Sequence, residues 1–387
     1  MLQRDLEKEA KRLAKQFPVI AILGPRQSGK TTLAQQCFPN YHYLSLENPD
    51  TRDFASHDPK GFLRPYEEGV ILDEIQHVPQ LFSYIQSIVD ASGLKGRFIL
   101  TGSQNFQLNA HISQSLAGRV AILTLLPFSL SELKKGKSLP AFYETLLFLG
   151  GYPRIHAQQI APTDWYPNYI QTYIERDIRQ LKNVTDLSTF QRFVKLCAGR
   201  IGQLINWSDL GRDCGITYHT AQSWISLLEA SFVIFMLHPF YENFNKRLVK
   251  SPKLYFYDTG LACSLLEIST EQELRTHSLK GNIFESFIIS ELIKERHNRG
   301  QIPKFYFWRD KMGHEIDLIF ESRGAVQAVE IKSSETLTQD LFKTINYWQT
   351  ISHHSPEECF LIYGGEEYQA RSYAKVFGWK ECTRVFE

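Results

Sequence analysis

Through residues 1–140, short apolar runs alternate with stretches of helical period, the pattern of a parallel sheet joined by crossover helices. Residues 18–23 form a near-continuous apolar run ending at Gly24, as a strand buried on both faces requires. Residues 41–46, 69–72, 97–101 and 120–125 predict four more such strands. Residues 141–194 turn helical, with few turn signals. In 195–262 two short helices, broken at Gly215, precede two strands at 232–237 and 253–257. Ala221, Trp224, Ile225 and Leu228 recur at i, i+3, i+4, i+7 and give the second helix one buried face. This predicts a helix-turn-helix with a wing. Residues 275–387 read as mixed α/β, a helix first and a β-hairpin after it. The segments share no repeat.

Composition narrows the function. The 387 residues carry 43 Lys+Arg against 42 Asp+Glu, with 43% hydrophobic and 22% charged residues. That excludes a disordered, collagen-like or disulfide-miniprotein chain. Near-neutrality also excludes coating nucleic acid by charge alone, so a polyanion site must be local. No run reaches the roughly 18 apolar residues of a membrane span. The charged N-terminus predicts an amphipathic helix, with Leu2, Leu6 and Leu13 on one face and no apolar signal core. The cysteines (Cys37, Cys197, Cys214, Cys263, Cys359, Cys382) are scattered, without a Cys-x-x-Cys pair. A cytoplasmic protein with free thiols, no structural zinc and no membrane association is expected.

Gly24-Pro25-Arg26-Gln27-Ser28-Gly29-Lys30-Thr31 fits the P-loop pattern G-x-x-x-x-G-K-[ST] between a predicted strand and a helix that begins at Thr32. Gly24 and Gly29 permit a backbone whose N–H groups point inward at a phosphate, and the helix N-terminus adds partial positive charge. Lys30 would reach the β- and γ-phosphates of ATP, and the Thr31 hydroxyl would ligate Mg²⁺. On a strand expected to neighbour the first, Val70-Ile71-Leu72-Asp73-Glu74 ends in two carboxylates. Asp73 would hold the Mg²⁺ shell and Glu74 would polarise the attacking water; an acidic helix cap is the plainer reading. Thr101 and Ser103 close a third strand and are candidates to hydrogen-bond the γ-phosphate or the water. Arg119, just before the strand at 120–125, could act in a neighbouring copy's site within a homo-oligomer, or simply cover a helix end.

These motifs resemble an AAA-type ATPase core, nearest the prokaryotic signalling ATPases related to origin-recognition and STAND proteins. In those families a Gly-x-Pro motif opens a helical lid and places a proline near adenine. Gly150-Gly151-Tyr152-Pro153-Arg154 stands where the lid would begin. The resemblance implies that Pro153 contacts the base and Arg154 senses phosphate.

The exposed face of the second short helix carries Tyr218, His219, Gln222 and Ser223, with no Arg or Lys on that helix. Helix-turn-helix geometry would set it in the major groove of duplex DNA, and basic residues between Lys246 and Lys253 could bind phosphate. A purely protein-packing role is equally open. Further on, Asp317 lies on one arm of a predicted hairpin and Glu330 and Lys332 on the other, the latter two on one strand face. Glu285 opens the helix upstream. Two carboxylates and a lysine suit metal-dependent phosphodiester cleavage with a second Mg²⁺ or Mn²⁺; a salt-bridged hairpin is the alternative. The arrangement is similar to PD-(D/E)xK nucleases of the restriction-endonuclease fold.

From Pro18 to about Thr350 the chain resembles a prokaryotic family in which this AAA core precedes a domain of unknown function. Residues 169–177, 253–261 and 313–334 carry its pattern. The expected architecture is therefore a P-loop ATPase core (1–140), a helical lid (141–194), a winged helix-turn-helix (195–262) and a nuclease-like domain (275–387). The expected function is Mg²⁺-dependent ATP hydrolysis controlling an effector half that acts on nucleic acid. The alternative is an ATP-regulated switch that binds a protein partner, its nuclease-like fold inactive.

Overall fold

The computed structural model describes residues 2–103, 115–178, 186–240 and 250–387, the side chains of 176–178 excepted. Lys246, Arg247 and the side chains of Arg176 and Asp177 lie outside the described residues.

The N-terminal sheet contains β1 (Val19–Leu23), β2 (His42–Ser45), β3 (Val70–Asp73), β4 (Phe98–Gly102) and β5 (Val120–Thr124), all parallel, in the order β2-β3-β4-β1-β5. Every residue of β1 is buried. Val19, Ala21 and Leu23 face the main core, while Ile20 and Ile22 face a second cluster with Leu6, Ala10 and Leu33. Burial on this scale is worth about 1.5–3 kcal/mol per large aliphatic side chain. Two flanking helices, Glu7–Ala14 and Lys30–Cys37, supply that second cluster. One expectation is corrected: the strand ending at Asp73 is not next to β1, because β4 pairs with both and separates them. The apolar pattern marks buried strands but does not order them.

The described residues between 143 and 198 are largely helical, through Tyr143–Leu149, Pro153–Gln158, Pro162–Tyr169 and Leu187–Ala198. The helix pair that follows has clear local causes. Asn206 caps Trp207–Cys214 by accepting from the Ser208 and Asp209 amides, and Gly215 ends it at φ 73°. Thr217 caps Tyr218–Ala230 by accepting from the Thr220 amide. Ala221, Trp224, Ile225 and Leu228 are buried, and Trp224 meets Phe190 and Phe193 edge-on at 5.2 Å each.

β6 (Ile234–Pro239) pairs antiparallel with β7 (Lys253–Phe256), as a wing would. β6 also pairs in parallel with β8 (Phe305–Arg309), through His238–Tyr306 and Pro239–Phe307. The two strands thereby extend an eight-stranded mixed sheet that includes β9 (Glu315–Ser322), β10 (Ala325–Lys332) and β11 (Cys359–Tyr363). The β9–β10 hairpin turns at Arg323 and Gly324, with φ of 53° and 78°, the handedness a two-residue hairpin loop favours. A long helix, Lys280–Asn298, packs between this sheet and the helical segment, where Phe284 meets Tyr143 at 4.9 Å. All six cysteines are free and buried. Among the described residues no helix is long and apolar enough to cross a membrane.

Candidate nucleotide site and the C-terminal carboxylate cluster

At the C-terminal edge of the parallel sheet, the loop and helix after β1 and the end of β3 line one cavity of about 600 Å³. Lys30, Thr31, Thr32, Asp73 and Glu74 line it, opposite Pro153 and Arg154 at the start of the helix Pro153–Gln158. Gly24 lies so close to the chain after β5 that a Cβ there would meet the Leu125 carbonyl at 2.1 Å. Gly29 starts the P-loop helix at φ 93°. Lys30 Nζ donates to the Gly24 and Pro25 carbonyls at 3.1 and 2.8 Å. Burial depresses the Lys30 pKa, against the pull of Glu74 and Asp73.

The two carboxylates are held in different ways. Asp73 accepts from Thr31 at 2.8 Å, from Tyr43 at 2.9 Å, and from Thr101. Glu74 sits in the left-handed region at φ 54° and accepts from Ser103 Oγ at 3.0 Å and from Gln76. Burial pushes the Glu74 carboxyl up, but the Lys30 charge and the Gln76 and Ser103 hydrogen bonds outweigh it and hold it below its ordinary value. Thr101 and Ser103 therefore serve as braces for the carboxylates. Burial and the bond to Asp73 push the Tyr43 hydroxyl up to about 12, so it stays a donor.

These residues suit a triphosphate with Mg²⁺. Ser28 Oγ is fully buried without a hydrogen-bond partner among the described residues, beside a buried lysine and a glycine cradle. The Thr31–Asp73 pair is a hard oxygen donor set of the kind Mg²⁺ takes.

Several supports escape a reading of the sequence. Arg4 is buried under the loop, donating to the Ser28 and Leu126 carbonyls at 2.6 Å each and to Glu132 at 2.9 Å. Its guanidinium also lies over the Phe128 ring at 4.9 Å. On the other side, Tyr152, Trp165, Tyr169 and Tyr173 pack ring to ring in a row, stacked at Trp165–Tyr169 and tilted elsewhere, that ends under Arg26, whose carbonyl accepts from Tyr169 at 3.4 Å. Gln27 takes a positive φ of 61° in the loop. Arg119 stays away from this cavity. It lies beside the first residue of β1, at the opposite edge of the sheet, in a two-pronged pair with Asp90.

The C-terminal candidates converge as well, with additions. Asp317 on β9 accepts from the Ile331 amide at 2.8 Å and faces Lys332 Nζ at 3.6 Å; Lys332 also pairs with Glu330. Glu285 reaches the same place from the long helix. Glu315 completes a trio with Glu285 and Asp317 whose oxygens lie within 4.8 Å of one another. Lys253 is corrected outright. It is 2% exposed and donates to Glu285 at 2.7 Å and Glu315 at 2.6 Å, so it is withdrawn from any phosphate-binding wing. Tyr255 donates to Glu285, and Arg309 pairs with Glu315 at 3.0 Å. Burial, reinforced by Asp317, pushes Glu285 up to about 7 and Glu330 up to about 8. Burial works against the charge on Lys253, yet the surrounding carboxylates hold its pKa well above the ordinary value.

A parallel sheet with the P-loop after β1, an interposed β4 and a carboxylate pair at the end of β3 defines an AAA-type P-loop ATPase domain. Residues 16–134 match the AAA domain family. Residues 141–272 and 280–381 match two domains of unknown function, DUF8612 and DUF4143. The chain belongs to the family of the uncharacterized protein Rv2008c of Mycobacterium tuberculosis, being 30% identical over 344 residues that cover 86% of this chain and 74% of that protein. The uncharacterized protein Mb2031c of Mycobacterium bovis matches with the same identity and coverage. Among solved structures, the Walker-type ATPase PABY2304 of Pyrococcus abyssi is similar at 15% identity and a TM-score of 0.42, covering 68% of this chain and 96% of that one. That likeness adds nothing to the strand order.

Proposed function

We propose that this protein is a Mg²⁺-dependent ATPase whose nucleotide state controls the half formed by residues 195–387. The observation that carries the reading is the meeting of Lys30, Thr31, Asp73 and Glu74 with Pro153 around one cavity. In this reading the loop amides and the Lys30 ammonium bind the phosphates, Lys30 exchanging its loop carbonyls for phosphate oxygens. Mg²⁺, held by Thr31 and Asp73, supplies charge neutralisation at the phosphate oxygens. Glu74 accepts the proton of the attacking water, its carboxylate aimed by Ser103 and Gln76 and kept ionised by Lys30. Pro153 packs on the base and Arg154 faces the phosphates. Arg119 acts in trans, from a second copy.

Two handles tie the cavity wall to the C-terminal half. Lys294 and Glu291 of the long helix hold the Phe128 carbonyl at 3.1 Å and the Leu130 amide at 2.7 Å. Asp258, just after β7, holds the Gly151 amide at 2.7 Å, two residues before Pro153. Movement at the nucleotide would reach the effector half through them. Of the two effector readings, the convergence of Glu285, Asp317, Glu330 and Lys332 favours a nuclease, while the uncharged exposed helix face and the buried Lys253 favour a non-cleaving switch for a protein partner. We take the second, in a cytoplasmic protein. ATP turnover by wild type and Lys30→Ala tests the enzyme: loss of turnover in the variant is expected, and equal rates would end the proposal.

A further inference from the structure

We propose that Lys253 is the resident cation of the C-terminal carboxylate cluster, and that the cluster is a metal-free clasp rather than a divalent-metal site. This deepens the non-cleaving reading of the effector half and rests on it. The ammonium stands between the carboxylates a metal would need to join, bonded to one oxygen of Glu285 and one of Glu315 at 2.7 and 2.6 Å. Its niche is shaped for an ammonium. The Tyr255 and Phe307 rings lie 5.5 and 5.8 Å from Nζ, and aromatic faces attract such a cation but cannot ligate a divalent ion.

Within the trio, at least one oxygen of each carboxylate is also already engaged, while Glu330 Oε2, outside the trio, is buried without a hydrogen-bond partner among the described residues. Glu285 Oε1 takes Tyr255 as well as Lys253, Glu315 Oε2 takes Arg309, and Asp317 Oδ2 takes the Ile331 amide with Lys332 nearby. An oxygen that accepts a hydrogen bond along its lone pair must give it up to coordinate a metal. Most of the charge is matched without one: four carboxylates (Glu285, Glu315, Asp317, Glu330) face three cations (Lys253, Lys332, Arg309), which leaves a single negative charge in excess. The clasp joins β7 to the long helix and to β9. The first two, β7 and the long helix, are the elements whose far ends, at Asp258 and Glu291–Lys294, grip the walls of the nucleotide cavity.

The test is Mn²⁺ binding to the full chain without nucleotide, followed by electron paramagnetic resonance, for wild type, Asp317→Asn, Lys253→Met and the Lys253→Met/Asp317→Asn double variant. Wild type should bind no Mn²⁺ that Asp317→Asn removes. Lys253→Met should gain one Mn²⁺ that wild type does not bind, because a unit positive charge leaves the site, and the double variant should lose it. Wild-type binding that depends on Asp317 would overturn the proposal, as would a folded Lys253→Met that ignores Mn²⁺. Should Lys253→Met fail to fold, wild type against Asp317→Asn decides alone. ATP turnover is read separately through Lys30, so failure of the clasp leaves the ATPase reading standing.

Discussion

Replacing Arg4 with Met should loosen the P-loop from beneath. The side chain is 6% exposed and its partner Glu132 is fully buried. Removing one member of a buried ion pair costs about 3–5 kcal/mol, because the other is left uncompensated. Here Glu132 keeps hydrogen bonds from the Ser129 amide at 2.9 Å and the Asp5 amide at 2.8 Å, which moderates the penalty. The Ser28 and Leu126 carbonyls, by contrast, both lose a donor at 2.6 Å. The net expectation is a loss of about 4 kcal/mol in the first urea transition, a large part of an ordinary domain's stability. The Ser28 carbonyl belongs to the loop, so affinity for a non-hydrolysable ATP analogue should weaken by about tenfold as its amides lose preorganisation. Adding Glu132→Gln should cost less than the sum of the two single changes, by at least about 1 kcal/mol, since they share one interaction. If Arg4→Met stays within about 0.5 kcal/mol of wild type and binds the analogue normally, the buried pair does not brace the loop.

Glu74→Gln should leave analogue binding intact and lower kcat by about 10²–10⁴, measured by phosphate release; undiminished turnover would remove Glu74 as the base. Arg119→Ala should leave folding and nucleotide affinity unchanged while lowering kcat about 10³-fold, with sedimentation showing an oligomer; full turnover would exclude an arginine acting in trans. Burial pushes the His297 imidazole down from 6.5 to about 4. The unfolded chain therefore takes up this proton at higher pH than the native one, and stability falls as pH drops from 6.5 towards 4, by up to about 3 kcal/mol. Denaturation of His297→Gln should lack that loss relative to wild type; parallel pH curves would show that burial does not hold the ring neutral.

The P-loop was legible because its chemistry fixes residue type at nearly every position and its strand and helix flank it in sequence. Asp73 and Glu74 were legible for a similar reason, as carboxylates ending an apolar run. Their supports were not. Arg4 meets partners 24, 122 and 128 residues away, and no local pattern marks which arginine of the charged N-terminal segment turns inward. Tyr43 looks like an ordinary strand aromatic until β2 is set beside β3. Lys253 was misplaced because it closes a basic run, and only the approach of the long helix and β9 shows it to be buried among carboxylates. The interposed β4 and the fusion of β6 to β8 are matters of strand order, and hydrophobic periodicity is the same for every order.

The most direct measurement is a calorimetric titration of the wild-type chain, Lys30→Ala and Thr31→Ala with a non-hydrolysable ATP analogue, each with and without Mg²⁺. The account predicts one equivalent bound by wild type, strengthened by Mg²⁺, with Lys30→Ala losing the heat and Thr31→Ala losing the Mg²⁺ dependence. No heat from wild type at about 1 mM ligand, or identical isotherms for all three proteins, would contradict it.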